Sequence, residues 1–207
     1  PIMAVIGGSK ISTKIGLLEN LIKKVDYLVV GGAMANTFLL AGGKEIGKSF
    51  VEIDRIEIAK SILNSAENNK CKIILPVDVV VAENIESKSI SNVEVDKIHS
   101  NQAIFDIGEK TIEKISNTMA ACKTLFWNGP LGVYEKKPFD NSTNIIGRTA
   151  AILTKAKIIT SVAGGGDTVS ALNSFEIAGG FSYVSIAGGA LVEWLEGKKL
   201  PGLEFLN

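Results

Sequence analysis

Short apolar runs alternate along the chain with longer segments in which apolar residues recur at helical spacing. Residues 2–6, 27–30 and 124–127 have the length and composition of buried strands, and residues 52–68 form the clearest amphipathic helix. Strands that alternate with helices predict a parallel sheet with right-handed crossovers. We therefore predict an α/β fold, a doubly wound, mostly parallel, Rossmann-like sheet of about six strands with helices on both faces.

Other segments fit this alternation less regularly. The polar stretch at residues 83–102 contains the only histidine, His99, and is interpreted as an irregular excursion in which His99 has no role. Strand-like runs bracket Pro76 on both sides. The remaining predicted strands lie at residues 72–75, 77–82, 103–107, 158–163 and 182–185.

Glycines stand where most of the predicted strands end. The carboxyl ends of parallel strands meet at one edge of the sheet, so loops that follow different strands can share one ligand there. Glycine lets a phosphate approach backbone amides closely, and the dipole of a following helix favours negative charge. Four loops fit this description, and a G-x-G-x-x-G fingerprint for a dinucleotide is absent. They are Gly7-Gly8, Asn128-Gly129, Gly164-Gly165-Gly166 and Gly188-Gly189.

Charged residues beside these loops supply the candidate chemistry. Asp167 stands at a predicted helix start and is interpreted as a magnesium ligand, with an ordinary N-cap as the alternative. Lys10 and Lys14 are predicted to share one face in the first turns of a helix, where the dipole disfavours cations unless an anion is bound. The alternative is a solvated lysine face. Glu135 either accepts hydrogen bonds from ribose hydroxyls or is an ordinary exposed carboxylate.

A second phosphate-binding pattern occurs at residues 42–49, where Gly42, Gly47, Lys48 and Ser49 satisfy G-x-x-x-x-G-K-[ST]. Such a loop must follow a buried strand, whereas the preceding residues 34–40 are helix-like. We therefore interpret the match as coincidental and keep a P-loop NTPase as an alternative function. A non-catalytic α/β interaction module, whose glycine loops are only tight turns and caps, is a second alternative.

Composition narrows the class of protein. The chain has 207 residues, 46% of them hydrophobic, which suffices for one domain of doubly wound size. Lysine plus arginine and aspartate plus glutamate both total 22, so the net charge indicates neither a nucleic acid nor a membrane surface as partner. Cys71 and Cys122 lack metal-ligand spacing and are predicted to be reduced core residues of a cytoplasmic protein. The start without methionine suggests a piece of a longer polypeptide.

Five sequence blocks, read together, resemble the carboxyl-terminal, nucleotide-binding half of phosphoglycerate kinase. The resemblance covers essentially the whole chain, so residues 1–207 are expected to form the family's nucleotide-binding domain without its amino-terminal, phosphoglycerate-binding domain. The blocks are Gly7-Gly8-Ser9-Lys10, Leu75-Pro76-Val77-Asp78, Trp127-Asn128-Gly129-Pro130, Gly164-Gly165-Gly166-Asp167-Thr168 and Leu195-Glu196-Gly197-Lys198-Lys199-Leu200-Pro201-Gly202.

The resemblance implies a glycolytic enzyme that transfers a phosphoryl group between 1,3-bisphosphoglycerate and MgADP, giving 3-phosphoglycerate and MgATP. Two halves close around the transferred group in this family, so this chain alone is expected to bind MgADP or MgATP with negligible turnover. Family members are usually monomers. The only arginines are Arg55 and Arg148, because the arginines that hold phosphoglycerate belong to the other half.

Roles for individual residues also follow from the resemblance. Lys10 is implied to follow the transferring phosphoryl group, with Gly165, Gly188 and Gly189 as further catalytic positions. Lys14 is implied to contact the α-phosphate side, Asp167 to associate with magnesium and Glu135 to bind ribose. The other implied nucleotide contacts are Gly8, Gly31, Gly32, Asn128, Pro130, Gly132, Gly164, Gly166 and Thr168, with Gly31, Gly32 and residues 131–133 as walls of the adenine pocket.

Two positions depart from the family pattern. Many members have a Ser-Thr-Gly-Gly-Gly-Ala-Ser-like run where this chain has Ser185-Ile186-Ala187-Gly188-Gly189-Ala190-Leu191. Backbone amides can still face the phosphoryl group there, but the side-chain hydroxyls are missing. Ile104 stands near a position that is often glycine beside the adenine, so that wall is expected to be remodelled.

Overall fold

The computed structural model describes residues 1–187 and 189–200, which form two sheets and the helices around them. None of the helices in these two ranges is long and apolar enough to cross a bilayer. The strands are β1 (Ile2–Ile6), β2 (Tyr27–Val30), β3 (Lys72–Ile74), β4 (Asp78–Ala82), β5 (Ile90–Glu94), β6 (Ala103–Ile107), β7 (Thr124–Asn128), β8 (Thr160–Gly164) and β9 (Tyr183–Ser185). The α-helices are α1 (Ile15–Leu21), α2 (Met34–Ala41), α3 (Ile56–Asn68), α4 (Glu109–Ala120), α5 (Asn141–Lys155), α6 (Gly166–Ser174) and α7 (Gly189–Leu195).

Six strands form one parallel sheet in the order β3-β2-β1-β7-β8-β9. The chain builds outward from β1 through β2 to β3 and then returns to start the other half at β7. Ala4 of β1 pairs with Leu28 on one side and with Phe126 on the other. The predicted doubly wound sheet is confirmed, and its topological switch point, where such folds place ligands, lies between β1 and β7.

Side chains of β1 alternate between two buried cores, one on each face of the sheet. Met3 and Val5 belong to the core that contains residues of α4 and α5, whereas Ala4 and Ile6 belong to the core of α1, α2 and α3. A strand that is apolar on both faces needs helices on both sides to exclude water. This requirement explains why the central strand shows a continuous apolar run instead of an alternating pattern.

Both cysteines lie in these cores as free thiols, as predicted. Cys122 belongs to the core of α4 and α5, and Cys71 to the core of α1, α2 and α3. Burial raises the pKa of Cys71 to about 11, so its thiol is protonated at neutral pH.

The remaining three strands form a separate antiparallel sheet in the order β5-β4-β6. The expectation that residues 77–82 and 103–107 continue the parallel alternation is therefore wrong, and so is the interpretation of residues 83–102 as irregular, since β5 lies within them. Apolar periodicity reports burial and does not distinguish parallel from antiparallel pairing. β5 escaped prediction because it is partly exposed and carries few apolar residues.

Asp78 connects the antiparallel sheet to helix α4. Its buried carboxylate accepts hydrogen bonds from the backbone N–H groups of Lys110 (3.0 Å) and Thr111 (2.8 Å) and from the Thr111 hydroxyl (2.6 Å). It thereby caps α4 from a neighbouring strand. Burial acts to raise the pKa of Asp78, but the hydrogen bonds from Thr111, Lys110 and Asn92 together outweigh it and lower that pKa.

Replacement Asp78→Ala is expected to lower the free energy of unfolding by about 2–3 kcal/mol near neutral pH, because it leaves buried donors unpaired. The folded pKa lies below the unfolded value, so this stabilisation is present above the unfolded pKa and is lost as pH falls through the folded pKa. Urea unfolding curves at neutral and acidic pH measure both effects. Glu83→Ala, at an exposed carboxylate, is the control, and a pH-independent loss at Asp78 would contradict the assignment.

Candidate functional site

Three of the glycine loops meet at the edge where the parallel strands end. The backbone N–H of Gly7, after β1, donates a hydrogen bond to the Asn128 carbonyl at the end of β7 (2.9 Å), and the N–H of Gly8 donates to the Pro130 carbonyl (3.0 Å). The N–H of Gly32, after β2, reaches the same β7 loop. Hydrogen bonds thus join the loops after β1, β2 and β7 to one another at the switch point. We call the edge that these three loops form the rim.

Glycine is required where these backbones touch. A Cβ atom on Gly7 would lie 1.9 Å from the carbonyl oxygen of Pro130, and one on Gly32 would lie 2.4 Å from the carbonyl oxygen of Gly8. Gly32 also has a φ of 68°, in the region that side-chain-bearing residues seldom adopt. The floor of the rim is therefore made of backbone atoms that a ligand can approach closely.

A cleft of about 240 Å³ opens beside this joint. Ile104, Leu131 and Val133 give it an apolar wall. Carboxylates stand at other points of the lining. An apolar slot with a few convergent polar groups suits a flat aromatic ligand that carries a polar tail. Of the residues predicted from the sequence, the lining includes Gly8, Gly32, Pro130, Gly132, Glu135 and Asp167.

Asn128 connects Lys14 to the ends of β7 and β8. The half-buried ammonium group of Lys14 donates a hydrogen bond to Oδ1 of Asn128, whose Nδ2 donates to the Gly164 carbonyl (2.7 Å). Burial lowers the pKa of Lys14, while the carboxylates of Asp167 and Glu196 act in the opposite direction. The ammonium group is already partly desolvated and held in one geometry. Binding of a phosphate therefore requires little further removal of water from it.

The prediction that Lys10 and Lys14 share one face of a helix is wrong. Helix α1 begins only at Ile15, and the two lysines flank a short 3₁₀ turn, Ile11–Thr13, which we call the lysine turn. The hydroxyl of Thr13 donates to the Lys10 carbonyl (2.8 Å). Such local hydrogen bonds from serine and threonine compete with α-helix formation, which accounts for the tighter turn.

Lys10 follows Ser9, which lines the cleft, but the exposed side chain of Lys10 is not part of the lining. The charge of Lys10 contributes to lowering the pKa of Glu52. The carboxylate of Asp167 lies close enough to Lys14 to act on its pKa.

Asp167 lies in the first turn of α6 and lines the cleft. The alternative that it is an ordinary N-cap is wrong, because the N-cap residue is Gly165 and no side chain forms a capping hydrogen bond there. Gly165 has a φ of 100°, and a Cβ on it would lie 2.3 Å from Nδ2 of Asn128. The carboxylate of Asp167 therefore does not cap its own helix.

Other predicted residues have a packing role in this structure. A Cβ on Gly31 would lie 2.3 Å from a methyl group of Leu131, and one on Gly164 would lie 2.5 Å from a methyl group of Leu191. The buried hydroxyl of Thr168 accepts the N–H of Gly129 (2.6 Å) and so fixes the β7 loop. A Cβ on Gly166 would meet no other heavy atom within 4 Å. Gly189 is the exposed first residue of α7, and Gly188 lies outside the described residues.

Residues 42–49 do not form a phosphate-binding loop. Helix α2, not a strand, leads into them, and no helix follows directly. The hydroxyl of Ser49 donates to the Ile46 carbonyl and accepts the N–H of Ile104 (2.9 Å), and the N–H of Lys48 donates to the Gln102 carbonyl (2.8 Å). These polar groups are engaged within the protein, so the P-loop alternative is not supported.

Sequence analysis missed Asp106, a buried carboxylate of β6 at the wall of the cleft. It accepts hydrogen bonds from the N–H (3.0 Å) and the hydroxyl of Ser142 and from the N–H of Ile107 (2.9 Å). A Cβ on Gly132 would lie 2.1 Å from its Oδ1. Burial raises the pKa of Asp106 to about 7, against the effect of these donors. The sequence did contain a signal for Asp106, which is the single charged residue of an otherwise apolar strand. A charge in such a position needs buried hydrogen-bond partners.

The fold and the rim together define a doubly wound α/β domain with a glycine-rich edge beside an apolar cleft. The model of one protein family, phosphoglycerate kinase, matches residues 1–198. The phosphoglycerate kinase of Methylorubrum extorquens (strain PA1) is 53% identical over 208 residues, which cover 100% of this chain and 52% of that protein. The phosphoglycerate kinase of Rhizobium meliloti (strain 1021) is 51% identical over 208 residues, with the same coverage of 100% and 52%.

Solved structures agree with this match. The structure of phosphoglycerate kinase from Coxiella burnetii has a TM-score of 0.95 at 44% identity and covers 100% of this chain and 52% of its own. The crystal structure of phosphoglycerate kinase from Pyrococcus horikoshii OT3 has a TM-score of 0.83 at 26% identity, with coverage of 100% and 51%. The chain belongs to the phosphoglycerate kinase family, which confirms the resemblance. It spans about half the length of the curated relatives it matches.

Replacement Asp106→Asn tests the buried carboxylate. Because its folded pKa lies above that of unfolded aspartate, the wild type loses stability as pH rises through the range between the two values, by at most about 1.4 kcal/mol per pH unit. The asparagine variant lacks this term, so the difference in free energy of unfolding between wild type and variant should shrink from about pH 5 to about pH 8. Urea unfolding followed by tryptophan fluorescence measures it. Parallel pH curves would refute the raised pKa, and exposed Asp54→Asn is the control.

Proposed function

We propose that this chain is the nucleotide-binding half of a phosphoglycerate kinase and that its cleft holds MgADP or MgATP. The observation that carries the proposal is the meeting of the loops after β1, β7 and β8 around Lys14, with Asp167 on the lining of the adjoining apolar cleft. A cation, converging backbone amides and a carboxylate suited to magnesium are the groups that phosphoryl-transfer sites use.

Each part of a magnesium nucleotide has a matching group on this surface. The apolar wall of Ile104, Leu131 and Val133 would pack against the base, and Glu135 would accept hydrogen bonds from the ribose hydroxyls. The backbone at Gly8 and Gly32 carries no side chains and would leave room for phosphate oxygens. Asp167 would hold Mg²⁺ together with oxygens of the nucleotide, and the ion would neutralise phosphate charge.

In the complete enzyme, this half would transfer a phosphoryl group between 1,3-bisphosphoglycerate and MgADP, to give 3-phosphoglycerate and MgATP. The phosphoglycerate site would belong to an amino-terminal half, and residues 1–207 would be the nucleotide-binding domain. Amide groups at Gly165, Gly166, Gly188 and Gly189 would face the transferred group, and Lys10 would follow it. The complete enzyme would act in glycolysis as a cytoplasmic monomer.

Titration calorimetry with MgADP tests the binding proposal. Replacement Lys14→Met keeps the apolar stem and removes the charge, so it should weaken MgADP binding roughly tenfold or more. Asp167→Asn should mainly reduce the gain in affinity that Mg²⁺ provides. Lys48→Met is the matched control at the rejected phosphate-loop pattern. If the wild type does not bind MgADP, the interaction module is favoured. If Lys48→Met weakens MgADP binding and Lys14→Met does not, the P-loop NTPase is favoured.

Turnover of the chain by itself is expected to be negligible, because one half cannot close around the transferred group and exclude water. A coupled assay that supplies 3-phosphoglycerate and MgATP to the purified 207-residue chain measures this. A full-length family member under the same conditions is the positive control. Comparable turnover by the two proteins would contradict the proposal that the second half is needed.

A further inference from the structure

The lysine turn is held by a residue from a distant segment. Glu52 lies between α2 and α3, and its carboxylate accepts hydrogen bonds from the N–H (3.1 Å) and the hydroxyl (2.5 Å) of Ser12, 40 residues away. The N-cap residue of the turn, Lys10, forms no capping hydrogen bond with its own side chain. Glu52 therefore supplies in trans the cap that the local sequence lacks.

The segment that carries Glu52 is itself anchored to the wall of the cleft. The N–H of Glu52 donates to Oγ1 of Thr37 (3.3 Å), and Nδ2 of the buried Asn36 donates to the Phe50 carbonyl (3.0 Å). Both partners lie in α2, and Asn36 lines the cleft. Hydrogen bonds thus connect the cleft wall, through residues 50–52, to the turn between Lys10 and Lys14.

The charge of Lys10 also acts on the Glu52 carboxylate. Burial works to raise the pKa of Glu52, but the hydrogen bonds from Ser12 and the Ile11 amide, together with the charge of Lys10, lower it. The group is therefore ionised at neutral pH, and its negative charge faces backbone amides at the start of a helical turn, where such a charge is favourable.

We propose that Glu52 is a positioning residue for phosphate binding, because it fixes the lysine turn so that Lys14 meets Asn128 and Lys10 stays beside the rim. Glu52 acts through the turn and not on the ligand, since it is not part of the cleft lining. The inference rests on the proposed function, because it concerns the phosphate affinity of the same rim. It follows that Glu52 matters for ligands with phosphates and not for a nucleoside.

The ratio of ADP affinity to adenosine affinity tests this inference in the 207-residue chain. Replacement Glu52→Ala should raise the dissociation constant of ADP about fivefold, in line with the loss of a helical cap, and leave that of adenosine unchanged. Glu52→Gln retains an acceptor for Ser12 and should recover most of the ADP affinity. Glu57→Ala is the matched control, because its exposed carboxylate pairs with Lys60 on its own helix (2.8 Å).

Double substitution shows whether Glu52 works through the turn. Ser12→Ala should weaken ADP binding in the same direction, and adding Glu52→Ala to it should cost less than Glu52→Ala costs alone. Amide hydrogen exchange at Ser12, measured without nucleotide, should speed up in Glu52→Ala and stay unchanged in Glu57→Ala. This last measurement reports the cap whether or not ADP binds.

The outcomes separate the two proposals. If the wild type binds ADP but Glu52→Ala leaves the ratio of ADP to adenosine affinity unchanged, or raises it, the role of Glu52 is refuted and the proposed function stands. Equal weakening of ADP and adenosine also overturns it, because that pattern indicates general damage to the fold. If the wild type binds no ADP while Ser12 exchange still depends on Glu52, the proposed function fails, and the phosphate role of Glu52 fails with it.

Discussion

The site depends on a contact between two backbones that only glycine permits. At the switch point a Cβ on Gly7 would lie 1.9 Å from the Pro130 carbonyl oxygen, and one on Gly129 would lie 2.2 Å from the Gly7 carbonyl oxygen. This joint sets the ends of β1 and β7 against each other, and the two halves of the sheet extend from them on either side. Lys14 reaches Asn128 because Asn128 stands at this joint. A side chain there would separate the loops and remove the backbone floor of the cleft.

Two buried carboxylates of the antiparallel sheet show how local donors decide the charge of a group. Asp78 receives hydrogen bonds from the first turn of α4 and from Asn92, and these outweigh burial and lower its pKa. Asp106 also receives hydrogen bonds, but burial and the charge of the neighbouring Asp140 outweigh them and raise its pKa to about 7. Asp78 is thus a permanently charged structural anchor at physiological pH. Asp106, at the cleft wall, changes charge near neutrality.

Local patterns in the sequence were enough to predict the parallel sheet and most of the loops that form the rim. Continuous apolar runs followed by glycine mark the central strands, and the carboxyl ends of such strands converge in every doubly wound fold. What escaped prediction depends on contacts between distant segments. Glu52 meets Ser12 across 40 residues, and Asp106 meets Ser142 across 36. The lysine turn was misassigned for a related reason, since spacing alone gave Lys10 and Lys14 a common helical face, whereas hydrogen bonds from Thr13 and to Glu52 favour a 3₁₀ turn.

The two lysines that flank this turn differ in a way that suits different steps of phosphoryl transfer. Lys14 is half-buried, hydrogen-bonded to Asn128 and partly desolvated, so its position is fixed before a ligand arrives. A fixed cation suits the part of a nucleotide that stays in place during the reaction. Lys10 is exposed, and its charge contributes to lowering the pKa of Glu52. A solvated lysine on a long stem can reach a new partner at little cost, which suits the proposal that Lys10 follows the transferred group. By capping the turn between them, Glu52 would keep one lysine fixed and the other within reach.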